Sequence, residues 1–216
     1  GQTSSAKYNA LLGYVADNIP DTTPDAFSFT AQVGIGLSAM VESNAITISG
    51  INTPTSISIS GGNYSVNGGT YTSVAATVKN GDKVQLRHTA SASFAGSVTT
   101  TLTIGGVSSS FKSTTLAKDT TPATFSFTSQ TGVRLASVVE SNAVTVSGIN
   151  APASISVSTG SSYSVNGGAY TTVAGTVSNS NTVKVRHTSS SKPSTSTITT
   201  LTIGGVTGQF SSKTVP

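Results

Sequence analysis

Thr101-Leu102-Thr103-Ile104-Gly105-Gly106-Val107 alternates hydroxyl and aliphatic side chains, breaks on two glycines and resumes on Val107. The alternation has the period of a strand with one buried face, and paired glycines supply the positive φ of a tight hairpin. The same stretch returns unchanged as Thr200 through Val206. A chain written this way is a β-fold written twice.

Working outward, the repetition extends over most of the sequence. Asp21-Thr22-Thr23-Pro24 recurs as Asp119-Thr120-Thr121-Pro122, and Phe27-Ser28-Phe29-Thr30 as Phe125-Ser126-Phe127-Thr128. Val41-Glu42-Ser43-Asn44-Ala45 recurs as Val139 to Ala143. After one inserted residue near Gly160, Tyr64-Ser65-Val66-Asn67-Gly68-Gly69 maps onto Tyr163 to Gly168, Arg87-His88-Thr89 onto Arg186 to Thr188, and Phe111 onto Phe210. More than half of the aligned positions are identical, so the chain is a tandem duplication with copies of ordinary domain size. Ile46 and Ile48, Ile57 and Ile59, and Val84 and Leu86 continue the period of two against Ser and Thr. Asn67-Gly68-Gly69 and Asn80-Gly81-Asp82 read as further turns. About seven strands per copy, with no helical stretch, predict an all-β protein of two tandem immunoglobulin-like β-sandwiches over residues 21–117 and 118–216.

Composition narrows the function. Only 8% of the 216 residues are charged, and cysteine is absent. Disulfides, thiolate metal sites and cysteine nucleophiles therefore drop out. The net charge of +4 comes from 11 Lys and Arg that form no basic run, which excludes an electrostatic nucleic-acid footprint. No apolar run is long enough to span a membrane as a helix. Two His and no Trp leave little for catalysis, so the expectation is no enzyme, no cofactor and no metal. Asp17, Asp21 and Asp25 cluster where copy one begins, but only Asp119 persists in copy two. Turn formation rather than calcium binding is the expected role.

The pattern DTTP, F-S-F, V-E-S-N-A-[IV]-T-[IV]-S-G-I-N, Y-S-V-N-G-G-x-Y, R-H-T and T-L-T-I-G-G-V resembles bacterial immunoglobulin-like tandem repeat modules of secreted and cell-surface proteins. The resemblance covers residues 21 to 216 and implies a β-sandwich in an extracellular or cell-surface setting, with no activity of its own. The expected role is a non-catalytic structural or adhesive module: a spacer, stalk or filament subunit. Its partners would be copies of itself or a cell-surface or glycan ligand. The alternatives are a carbohydrate-binding accessory module of a secreted hydrolase and a virion decoration domain. A joint as short as Ala117-Lys118 predicts a semi-rigid rod.

Three groups of residues are candidates for sites or for special structural roles. Tyr64 and Tyr71, with Tyr163 and Tyr170, flank the Asn-Gly-Gly turns and would either stack a sugar ring or pair across the hairpin. His88 and His187 share the inward phase of Leu86 and Val185, which predicts structural histidines, while Arg87 and Arg186 face out toward solvent or a carbonyl. Residues 1–20 lie outside the repeat. There Tyr8, Leu11, Leu12, Val15 and Ile19 form one face of a short helix ended by Pro20, although a strand reading also survives. Such a segment needs a surface to dock on, either its own first sandwich or a neighbouring copy with which it would self-associate.

Overall fold

The computed structural model describes residues 19–216, and the chain divides into two compact units, residues 1–117 and 118–216. Tyr8, Leu11, Leu12, Val15 and Asp17 fall outside the described residues.

The first domain contains β1 (Gln32–Ile35), β2 (Met40–Glu42), β3 (Ile46–Thr47), β4 (Thr55–Ser60), β5 (Asn63–Val66), β6 (Ala76–Val78), β7 (Lys83–Thr89), β8 (Ser97–Ile104) and β9 (Val107–Thr115). One sheet runs β1-β9-β8-β4-β6. In the other, β7 lies between β5 on one side and β2 and β3 on the other. All pairings are antiparallel except β1 with β9, which join the beginning and end of the domain in parallel. The second domain repeats this plan in β10 (Gln130–Val133), β11 (Val138–Glu140), β12 (Val144–Thr145), β13 (Ala153–Val157), β14 (Ser161–Val165), β15 (Gly175–Val177), β16 (Thr182–Thr188), β17 (Ser196–Ile203) and β18 (Val206–Thr214). The chain is a tandem of two immunoglobulin-like β-sandwiches.

Among the described residues each domain has nine strands where the sequence suggested about seven. Part of the excess has a local cause. Ser43 donates its N–H to the Leu86 carbonyl, but the Leu86 N–H is taken by the Ser43 hydroxyl, and the Ser43 carbonyl accepts from the Gln85 side chain instead. One strand is thereby broken into β2 and β3, much as a bulge would break it. Residues 21–31 add no strand but remain tethered: the Asp25 N–H reaches the Ser49 carbonyl, and the Asn44 amide holds Thr30 and Ser28.

The core follows the period-two pattern. Ile57, Leu86, Leu102, Ile104 and Phe111 are fully buried, as are Ile155, Leu201, Ile203 and Phe210 in the second domain. Burial of such a side chain contributes about 1.5–3 kcal/mol. The Gly105-Gly106 turn is a two-residue hairpin, with Gly105 at φ 52 and Gly106 at φ 86 between paired Ile104 and Val107. A Cβ on Gly105 would collide with the Thr22 carbonyl oxygen and the Pro24 ring, and one on Gly204 with Thr120 and Pro122. The two most recognisable motifs of the repeat, DTTP and LTIGGV, therefore recur together because they pack on each other.

Candidate functional site

In each domain a histidine crosses the core from one sheet to the other. His88 stands on β7 at 4% exposure, and its Nδ1 lies 2.8 Å from Thr100 Oγ1 on β8. Its Nε2 lies 2.7 Å from Ser113 Oγ on β9. The ring stacks on Phe111 at a centroid distance of 4.9 Å. His187 repeats the arrangement with Thr199, Ser212 and Phe210. Thr100 donates its hydroxyl proton to the Gly61 carbonyl, so it can only accept from the imidazole. This makes Nδ1 the protonated nitrogen and leaves Nε2 to accept from Ser113. Burial pushes both imidazoles below the ordinary histidine pKa, in favour of the neutral ring.

A serine hydrogen-bonded to a histidine has the geometry of an activated nucleophile. Ser113 is 1% exposed, however, and a threonine rather than a carboxylate occupies the other ring nitrogen. The pair faces no solvent, and its chemistry is that of a polar crosslink between sheets.

The tyrosines separate. Tyr64 and Tyr163 are core side chains, 1% and 3% exposed, and their hydroxyls donate to the Val74 and Val173 carbonyls. They offer no face to a sugar. Tyr71 and Tyr170 lie on the outer side of the second sheet, half-covered, each beneath a guanidinium: the Arg87 and Arg186 Cζ atoms sit 4.0 Å from the ring centroids. The arginines expected to face solvent or a carbonyl are thus cation–π partners. Glu42 is in register with Arg87, and Glu140 with Arg186. Neither Tyr71 nor Tyr170 has a hydroxyl partner at good hydrogen-bond geometry. Burial, then the nearby Glu140 carboxylate, pushes the Tyr170 phenol up to about 12, with Arg186 opposing. Lys184 reaches Glu140 at 2.7 Å and holds that carboxylate below its usual range. In the first domain Gln85 stands at the equivalent position and donates to the Ser43 carbonyl instead.

Ile19, the one described member of the amphipathic set, is 60% exposed, and its carbonyl accepts from the Asn52 amide. Asp21 caps its own turn by accepting the Thr23 N–H. Among the described residues no cluster of three or more His, Asp and Glu side chains is placed to hold a metal ion, and no helix is long and apolar enough to cross a membrane. The stacking of Arg87 on Tyr71 was not anticipated from the sequence. Its signal was the return of both residues, at unchanged spacing, in the second copy. The partners of His88 had a signal too, since Thr100 and Ser113 occupy inward positions of their strands.

No family model and no curated protein matches the chain. Among solved structures it is similar to the titin I9-I11 tandem, at 10% identity and a TM-score of 0.29 over 92% of this chain and 66% of that one. The titin domains Z1Z2 in complex with telethonin are 16% identical over 90% of this chain and 97% of theirs, with a TM-score of 0.40. Domains 4 and 5 of the S-layer protein SbsC are 11% identical over 74% of this chain and all of theirs, with a TM-score of 0.33. The chain spans about two thirds of the length of the I9-I11 tandem. The likeness lies in the tandem immunoglobulin-like fold alone.

Proposed function

We propose that the chain is a non-catalytic structural or adhesive module of an extracellular or cell-surface protein, bacterial in setting, serving as spacer, stalk or filament subunit. Residues 21–117 and 118–216 are its two load-bearing units in this reading, and residues 1–20 are a docking segment through which Tyr8, Leu11, Leu12, Val15 and Ile19 engage another copy. The observation that carries the reading is the parallel pairing of β1 with β9, and of β10 with β18. Tension applied to the two ends of a domain draws parallel strands in opposite directions. Their hydrogen bonds, such as Leu116 N–H to the Ile35 carbonyl and Val215 N–H to the Val133 carbonyl, are then loaded together rather than peeled one at a time. The histidine crosslink between sheets supports the same role without a disulfide.

Single-molecule pulling on the full chain tests this. Two discrete unfolding events are expected, each releasing about 300 Å of chain, and Ile35→Pro lowers the force of one of them. A featureless extension at low force would count against load bearing. Light scattering on residues 1–216 and 21–216 tests the docking segment, which predicts oligomers of the longer chain only.

A further inference from the structure

We infer that the outer face of the five-stranded sheet of each domain is an adhesion surface for a neutral polysaccharide, recognised by a grid of hydroxyl groups. The inference goes beyond the load-bearing reading and does not rest on it.

In the first domain the outward residues of β4, β8 and β9 stand in register as two rows, Ser58–Thr103–Ser108 and Ser60–Thr101–Ser110. Sheet geometry spaces them about 4.8 Å across strands and about 6.8 Å along them. Thr101 Oγ1 lies 2.9 Å from Ser110 Oγ, and Thr103 Oγ1 lies 2.8 Å from Ser108 Oγ. These cross-strand bonds hold the rotamers. Each bonded pair still has one proton to donate outward and lone pairs to accept with. A surface ordered before contact loses less entropy on binding.

Charge is concentrated on the other sheet, where Glu42, Lys83 and Arg87 lie. In the first domain the grid meets only Lys112, one row beyond Thr101, and in the second only Lys213 of β18, two rows beyond Gln209. The second domain keeps the first row as Ser156–Thr202–Thr207, and its second row pairs Thr200 with Gln209 where the first domain pairs Thr101 with Ser110. Divergence between the copies has changed side chains there without adding charge or removing hydrogen-bonding capacity. A neutral face that both donates and accepts is complementary to sugar hydroxyls, which do the same. It gives no advantage to an anionic or cationic polymer. Two such faces on one chain allow avidity on a repeating ligand.

The test is depletion of the full chain from solution by microcrystalline cellulose, by chitin and by mannan-coated beads, with serum albumin as the inert comparison. Heparin and chitosan beads serve as the charged polymers. Thr101→Lys combined with Thr200→Lys charges the centre of each grid. Gln85→Lys adds charge to the opposite sheet, at the position where the second domain already has Lys184. Unchanged unfolding midpoints establish that the variants fold. The expected result is at least tenfold greater partitioning than albumin onto one neutral polymer or more, a tenfold loss in the grid variant, and no loss in Gln85→Lys. Partitioning no better than albumin on every neutral polymer overturns the inference. Equal binding by the grid variant, or stronger binding to a charged polymer than to any neutral one, does the same. The pulling experiment is unaffected by any of these results, so failure here and failure of load bearing are separately visible.

Discussion

Replacing His88 and His187 together with glutamine should flatten the acid side of the stability profile. Each imidazole is 4% exposed, touches only hydroxyls and a phenyl ring, and has its pKa lowered by burial with no charge contributing. Below the unfolded value of about 6.5 the unfolded chain therefore binds a proton that the folded domain resists. The histidine contribution is complete above about pH 6.5 and is lost as pH falls toward the depressed folded value. The limiting slope is about 1.4 kcal/mol per pH unit per histidine. By about pH 5 this amounts to at most about 2 kcal/mol per domain, or roughly 8–16 °C in Tm. Asp82 and Glu140, whose folded pKa values are lowered, contribute their own loss further down, below about pH 4. The windows are thus separable. Glutamine cannot titrate, so the variant should lose the slope whatever it costs at neutral pH. Calorimetry at constant ionic strength between about pH 7.5 and 5 reads the difference. A flat wild-type profile, or an unchanged slope in the double variant, would refute the reasoning.

Other substitutions probe other joints of the structure. Ser180→Gly should stabilise the second domain by about 0.5–1 kcal/mol, because Ser180 has φ 68 where the first domain places Gly81 at φ 86; chemical denaturation measures it. Gly105→Ala should cost the first domain about 2 kcal/mol or more through strain and collision with Thr22, and an unaltered unfolding midpoint would contradict the packing of DTTP on the hairpin. Arg87→Ala removes the stacking on Tyr71 and should cost about 0.5–1 kcal/mol, read against Arg87→Lys as the partial replacement. Tyr64→Phe loses only the bond to the Val74 carbonyl, and a decrease of about 1 kcal/mol in unfolding free energy is expected.

Much of the architecture was legible because its signals are local. Alternation at Leu102 and Ile104 assigns their buried face, and Asn67-Gly68 adopts the positive φ values of 51 and 73 that its composition anticipates. Strand number was less legible. The break between β2 and β3 depends on the Ser43 hydroxyl meeting Leu86, a residue far along the chain. The tyrosines show the same limit. Tyr64 and Tyr71 are close in sequence and similar in chemistry, but one enters the core and the other lies beneath Arg87. Both belong to the same sheet, and because Tyr64 pairs with Thr72, the adjacent Tyr71 falls on the opposite face.

By itself, then, the sequence determined the duplication, the β class, the turns and the inward phase of His88, since each follows from spacing between near neighbours. Only the tertiary structure decided what His88 meets, because Thr100 and Ser113 belong to strands of the opposite sheet. The same holds for the parallel closure of β1 on β9 and for the concentration of charge on one of the two outer faces. Alternation states that a side chain points in or out. It carries no information about which distant strand will lie beside it, and that pairing is settled only when the two sheets pack.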